Sequence, residues 1–403
     1  MDHTFLTELN IVNVRHLHNI KIPLSRSQRK HLILTGKNGS GKTSVLTSMV
    51  AFLKYMVSDA FQEDTSRSQI AALKDRLRGE TGKKREQTLR DIKAIEMNAR
   101  RRWDDGCVAV ANHYSRLREK YKQGQFILAY YRDDRRMDID PYKDIVKMDL
   151  KQVYDIEAHP AKNIGKYLAN LKIDRALALA DNEQARADEI DAWFQTFQNR
   201  LAQIYRTNEL SLNFDSKTYQ FTIEIPGRQP FGLDCMSMGY AAIFDIVGDL
   251  MMRMDSQRNY NLEGIVLIDE VETHLHVELQ REVMPMLTEL FPNIQFILTS
   301  HSPFVLNSTE NAVVFDLETR VSSSLDMTML PYEAIVEGHF EVDNLSWILR
   351  MKFEEYKAQV SLPPDERDVD KLRSLKEELE LVPTFLALNF KAQYEEFNLD
   401  MRC

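Results

Sequence analysis

The sequence predicts an α/β head, a mixed sheet with flanking helices, that carries an inserted helical hairpin or coiled-coil arm and ends in a helical C-terminal tail. Three observations carry this reading. The run Gly36-Lys37-Asn38-Gly39-Ser40-Gly41-Lys42-Thr43 follows the short apolar stretch His31-Leu32-Ile33-Leu34-Thr35 and leads into an apolar helical stretch over 45–53, the strand–loop–helix order of a phosphate-binding loop. Two further apolar runs, Ile265-Val266-Leu267-Ile268 and Gln295-Phe296-Ile297-Leu298-Thr299, end in polar residues as buried strands do. Between them and the loop the texture changes, and from Phe61 to Gln125 the chain turns polar, charged and helical.

Taken in order, 1–60 form the N-terminal lobe of the head. Leu6–Val14 and His18–Leu24 read as strands before the strand that enters the loop. Residues 61–125 read as a helical hairpin, with apolar residues at helical spacing (Ile70, Leu73, Leu77, then Leu89, Ile92, Ile95) and a break at Gly79 and Gly82. Residues 126–206 give a strand at Phe126–Tyr131 and a helical section from about Val153. Residues 207–330 return to the head, with alternation over Leu210–Pro226 and then the motif-bearing strands. The tail, 331–403, is helical and acidic with a break at Pro363-Pro364.

Composition limits the function classes. With 403 residues, 43% hydrophobic and 28% charged, this is an ordinary globular composition. No apolar stretch approaches the ~20 residues that span a bilayer, and the start Met1-Asp2-His3-Thr4 begins no secretory signal; a cytoplasmic protein without membrane contact is expected. Cys107, Cys235 and Cys403 are far apart, without metal-ligand spacing, and suit a reducing compartment. The net charge of −9 argues against coating nucleic acid over the whole surface. The insertion differs: 61–125 hold 16 Lys/Arg against 10 Asp/Glu, including Lys83-Lys84-Arg85 and Arg100-Arg101-Arg102. A solvated helical face explains that run; contact with nucleic acid or an acidic partner is the alternative.

The loop's chemistry dictates its residues. Gly36, Gly39 and Gly41, with Asn38, Ser40 and Ser44, let backbone N–H groups curl around phosphates; Lys42 reaches the terminal oxygens, and the Thr43 hydroxyl is a Mg²⁺ ligand. At the end of the 265–268 strand, Asp269 fits the carboxylate that holds Mg²⁺ and Glu270 the base that orients and deprotonates water. His301, in Ser300-His301-Ser302-Pro303, ends the adjacent strand and fits a γ-phosphate contact. Met236-Ser237-Met238-Gly239-Tyr240 precedes an apolar helix, so Ser237 and Gly239 form a second anion site. If the Gly36 loop already cradles the phosphate of its own subunit, that second site is supplied to a partner subunit.

In this order, the motifs resemble those of ABC-type ATPases of the non-transporter branch, the RecF, SMC and OLD-like proteins. The run Ile268-Asp269-Glu270-Val271-Glu272-Thr273-His274-Leu275-His276 looks most like the bacterial AAA_15/AAA_21 group, which includes ATPase subunits of anti-phage systems of Septu, retron and PARIS type. The resemblance covers roughly 1–60 and 205–330. It implies an ABC ATPase head, ATP and Mg²⁺ as cofactors, and a head-to-tail homodimer, or a larger assembly, clamping two ATP molecules. Ser237 and Gly239 of one subunit would then close on the loop of the other. It also implies a nucleotide-side role for Arg15 and a cross-dimer loop at Glu272, Thr273 and His274. Met238 stands where transporters have a second glycine, which implies slow hydrolysis. Gln125 is the one candidate for the glutamine that such heads place near the nucleotide.

Two further features are set aside. His274 and His276 lie two residues apart, where helical side chains diverge, so a shared metal is not expected. Ile335-Val336-Glu337-Gly338 resembles the opening of a Toprim nuclease, but no apolar strand precedes Asp368-Val369-Asp370, and no intrinsic nuclease is expected. The leading expectation is an ATP-driven switch or scaffold that regulates a separately encoded effector, a nuclease, in bacterial anti-phage defence. The alternative is a RecF/SMC-like ATPase acting directly on DNA in repair or recombination. A transporter ATPase is disfavoured by the long charged insertion.

Overall fold

The computed structural model describes residues 3–61, 73, 75–77, 79, 82–102, 106–135, 148–322, 347–363, 366–380, 394 and 397. In chain order the first half runs β1 (Leu6–Val14), β2 (Leu17–Pro23), β3 (His31–Thr35), α1 (Lys42–Val57), α2 (Gly82–Arg102), β4 (Gly106–Ala111), α3 (Tyr114–Lys122), β5 (Phe126–Tyr131), α4 (Ile164–Ala180) and α5 (Gln184–Tyr205). The second half runs β6 (Ser211–Asp215), β7 (Gln220–Glu224), β8 (Phe231–Gly232), α6 (Met238–Asp255), β9 (Glu263–Ile268), α7 (Val277–Leu290), β10 (Ile294–Thr299), α8 (Pro303–Leu306), β11 (Ala312–Asp316), β12 (Val321–Ser322), α9 (Trp347–Ser361) and α10 (Val369–Glu380).

The central sheet has the order β12-β11-β3-β10-β9-β5 and is parallel except at β12. Strands β3, β5 and β10 are buried along their whole length, which is why they read as continuous apolar runs rather than alternating ones. A second, antiparallel sheet has the order β2-β1-β4. Helix α1 shares one apolar core with both sheets: Val45, Leu46, Met49 and Leu53 pack with Leu9 and Ile11 of β1 and with Leu34, Leu267 and Ile297 of the central sheet. Each such side chain contributes about 1.5–3 kcal/mol when fully buried, so the helix that follows the phosphate loop is held in place by packing rather than by propensity.

Parallel pairing decides where the site lies. Thr35 of β3, Tyr131 of β5, Ile268 of β9, Thr299 of β10 and Asp316 of β11 all end at the same edge. The segments that leave these strands therefore converge, as expected of open α/β sheets.

The mixed sheet with flanking helices and the helical tail are as the sequence predicts. The insertion differs. Within 61–125 the structure describes α2, and then β4 pairs antiparallel with β1, so the last part of that stretch belongs to the head. Gly106-Cys107-Val108-Ala109-Val110-Ala111 is short and built of small residues, a weak signal beside the charged helix before it. Ile70 and the 335–338 run lie outside the described residues, as do Cys403 and the side chains of Lys83, Ile95, Arg100, Arg101 and Arg102. The chain divides into two compact units, 1–330 and 331–403. In the second, α9 and α10 lie on either side of Pro363 and pack through Phe353, Tyr356, Leu375 and Leu379.

Candidate active site

The phosphate loop turns from β3 into α1 through Gly41, whose φ of 99° lies in the left-handed region and whose missing Cβ would sit 3.0 Å from Leu17 Cδ1. Both the backbone and the space therefore require glycine there. The Lys42 ammonium is buried and donates to the carbonyls of Gly36 (3.0 Å) and Lys37 (3.3 Å). Burial lowers its pKa, opposed by the nearby charges of Glu270, Glu272, Asp269 and Asp316. A cavity of about 560 Å³ opens over the loop, lined by Arg15, Asn38, Gly39, Gly41, Lys42, Thr43 and Ser44, with Glu270 also on its wall. Arg15 reaches it from the β1–β2 turn with φ 54°. Gly36 and Ser40 shape the loop from behind; the Ser40 hydroxyl is buried without a hydrogen-bond partner.

The two carboxylates at the end of β9 are held differently. Asp269 is fully buried, and its Oδ1 accepts from Thr299 Oγ1 at 2.6 Å while Oδ2 has no partner. A buried carboxylate oxygen left without a donor costs free energy. Together with the exposed Thr43 hydroxyl at the loop, it fits a hydrated divalent cation. Glu270 has φ 43°, and its N–H donates to the same Thr299 hydroxyl at 2.7 Å. Burial, then the charge of Glu272, raises the Glu270 pKa. His301 Nε2 stands 3.6 Å from Glu270 Oε1, beyond hydrogen-bond length, while the backbone N–H of His301 donates to Glu272 Oε1 at 2.5 Å. Burial, then Lys42, lowers the His301 pKa, which favours the neutral ring.

Two residues to which the sequence assigned no role complete the arrangement. Thr299 bridges Asp269 and the Glu270 N–H. Arg135, just beyond β5 and 6% exposed, donates to the carbonyls of Asp269 (2.7 Å), Glu270 (2.9 Å) and Arg132 (3.0 Å). It thus fixes the turn that aims Glu270 from the backbone side. Thr299 was visible only as the last residue of an apolar strand. Arg135 gave no signal, because its role depends on β5 lying beside β9.

Gln125 does not reach the site. It precedes Phe126, which pairs with Glu263 at the start of β9, so it lies at the opposite end of the sheet from Asp269. Neither Ser237 nor Gly239 lines the loop cavity. Ser237 is exposed at the N-terminus of α6 and its hydroxyl makes no capping bond. Gly239 is buried, where a Cβ would meet the His274 carbonyl at 3.1 Å and Leu279 Cδ1 at 3.2 Å, so the start of α6 packs closely on the 274–279 segment. His274 sits in a turn with φ 69° and His276 directly precedes α7. No cluster of three metal-ligating side chains occurs among the described residues.

Comparison with known proteins agrees with these motifs. Residues 131–307 match the AAA_21 family, described as "AAA domain, putative AbiEii toxin, Type IV TA system". The chain is 24% identical over 397 residues to the "Septu protein PtuA" of Bacillus mycoides, covering 93% of this chain and 50% of that protein. It is 40% identical over 78 residues to the "Retron Vc95 probable ATPase" of Vibrio cholerae, covering 18% of this chain and 15% of that protein. The chain thus spans half the length, or less, of these curated relatives. Among solved structures, an SMC head bound to the C-terminal winged-helix domain of ScpA aligns over 81% of this chain and 100% of that one, at 14% identity and a TM-score of 0.42. No helix among the described residues is long and apolar enough to cross a membrane.

Proposed function

We propose that the protein is an ATP-binding and ATP-hydrolysing switch that regulates a separately encoded effector, a nuclease, in bacterial anti-phage defence. One observation carries the nucleotide part: the Lys42 loop and Glu270 line a single cavity, and the residue before Glu270, the buried Asp269, carries an orphaned carboxylate oxygen. In this reading, Gly39, Gly41, Lys42 and Thr43 bind the phosphates of ATP, and Thr43 and Asp269 hold its Mg²⁺, which neutralises charge on the phosphates. Glu270 takes the proton of the attacking water; its raised pKa improves the match to that task. His301 contacts the terminal phosphate, and Arg15 contacts the nucleotide from the β1–β2 turn.

Ser237 and Gly239 lie away from the cavity of their own subunit, which supports a head-to-tail dimer in which they close on the ATP of the partner. A ligand shifts an equilibrium only through differential affinity, and contacts made solely in the closed dimer would supply it. Hydrolysis, slow in this reading, resets the switch. The defence role and the effector rest on the resemblance to Septu and retron ATPases, and a cytoplasmic location follows from the same reading.

The test is native mass spectrometry of tagged Glu270→Gln protein purified with Mg·ATP from its own host. The expected result is a long-lived ATP-bound dimer or higher assembly with a co-purifying protein at fixed stoichiometry. Failure of Glu270→Gln to prolong the ATP-bound dimer refutes the reset step.

A second reading has one observation in its favour. Helix α2 exposes Lys84, Arg85, Arg90 and Lys93, a basic face suited to phosphate contacts as in a RecF/SMC-like ATPase that acts on DNA. It predicts salt-sensitive DNA binding that is lost when Lys83, Lys84 and Arg85 are reversed in charge.

A further inference from the structure

A second cavity, of about 350 Å³, opens beyond the end of β5, with Arg135 in its wall. Its lining includes Asp245 of α6, 7% exposed and without a hydrogen bond or ion pair among the described residues, although the charges of Arg135 and Lys162 act on it. Burial, then the charge of Asp249, pushes its pKa up to about 7. A carboxylate buried in this way without a donor calls for a partner.

The donors around it are partly committed, although Arg135 Nε is buried without a hydrogen-bond partner. The two terminal nitrogens of Arg135 are spent on backbone carbonyls. Arg132 pairs with Glu157 at 3.1 Å, and Glu157 also holds Lys54 of α1. Burial lowers the His159 pKa, opposed by the charge of Asp249, and Lys162 is an exposed residue of the cavity wall. The uncommitted acceptors are the buried Asp245 and the exposed Asp134, while Tyr130 and His159 add flat ring surface. Spare acceptors beside rings suit a guest that is planar, cationic and rich in N–H groups.

We propose that this cavity binds a guanidinium group, with Asp245 as its buried partner. A guanidinium fork matches a carboxylate through two parallel hydrogen bonds and is more weakly hydrated than an ammonium, so it enters a buried site more readily. The inference does not depend on the ATPase reading. Because Arg135 forms both this wall and the clamp on the Asp269 and Glu270 carbonyls, an occupant that takes up the charge of Asp245 changes the field at that clamp.

Calorimetric titration of the full chain with N-acetylarginine amide tests this, with the uncharged isostere N-acetylcitrulline amide as control. Saturable 1:1 binding on the order of 1 mM is expected for the arginine compound and none for the citrulline compound. Asp245→Asn should weaken binding about tenfold or more. Asp134→Asn, an exposed change that leaves the core intact, should weaken it about threefold and decides the matter if Asp245→Asn does not fold. Equal binding of the two compounds, or affinity unchanged in both variants, overturns the proposal. So does saturable binding of inorganic phosphate that is lost in Lys162→Ala, since that would make the cavity an anion site. Under the proposal, tighter binding of acetyl-Gly-Arg-Gly-amide than of agmatine assigns the guanidinium to a polypeptide, and the reverse order assigns it to a free small molecule.

Discussion

Thr299→Val tests the reasoning about the site most directly. The side chain is fully buried, and valine keeps its branched shape while removing the hydroxyl. Two hydrogen bonds are lost at once: the 2.6 Å bond to the Asp269 carboxylate and the 2.7 Å bond from the Glu270 N–H. Asp269 would then have lost its side-chain donor at Oδ1 while Oδ2 already has none, and the Glu270 N–H would be left unpaired. A neutral bond is worth about 1 kcal/mol and one to a charged group about 1.5–3 kcal/mol, so the expected loss is about 2–4 kcal/mol. For a unit of this size that lowers the thermal midpoint by roughly 3–6 °C. Glu270 loses the contact at its N–H, while Arg135 and the Thr273 N–H still hold its carbonyl, so ATP turnover should fall by about 10–100-fold with a smaller change in KM. The assays are thermal unfolding without nucleotide and steady-state phosphate release. A midpoint that moves by less than about 1 °C, with turnover unchanged, would show that Thr299 holds neither the Asp269 carboxylate nor the Glu270 backbone.

Two other outcomes follow from the same geometry. Glu270 must be ionised to act as a base, and its pKa lies above the ordinary 4.5 because of burial and then Glu272. The acid limb of kcat against pH should therefore lie above pH 4.5 and move to lower pH in Glu272→Gln, which retains the Oε1 acceptor for the His301 N–H; an upward or absent shift contradicts the assignment. Asp249 accepts from Arg253 Nε at 2.6 Å, Tyr131 Oη at 2.8 Å and the Ala161 N–H at 3.3 Å, with both charged side chains almost completely buried. Asp249→Asn strips the ion partner from a buried guanidinium and should cost about 3–5 kcal/mol in urea unfolding; a loss below about 1 kcal/mol would mean that the carbonyls of Leu128, Asp155 and Ala158 satisfy Arg253 alone.

Much of the site was legible because its chemistry is local. A loop that wraps phosphate needs glycines and a lysine at fixed offsets, so Gly36–Thr43 could be read without a fold. Asp269, Glu270 and His301 were legible because each ends an apolar run long enough for one buried strand. Gln125 was misplaced because sequence distance from a strand does not say which end of the sheet a residue occupies; only the β5–β9 register does. Strand β4 was hidden for a related reason, since its partner β1 lies about a hundred residues away and its small residues form a strand only by pairing there.

The sequence by itself determined the phosphate loop, the carboxylate pair, the strand-end histidine and the α/β character, since these depend on residue type at short spacing and on hydrophobic period. Only the tertiary structure decided that Thr299 joins the Asp269 carboxylate to the Glu270 N–H, that Arg135 braces their turn, and that the buried Asp245 lines a second cavity. Those contacts are made between strands and helices far apart in the chain. Hydrogen-bond geometry acts over about 3 Å of space, and no short stretch of sequence encodes which distant backbone will arrive there.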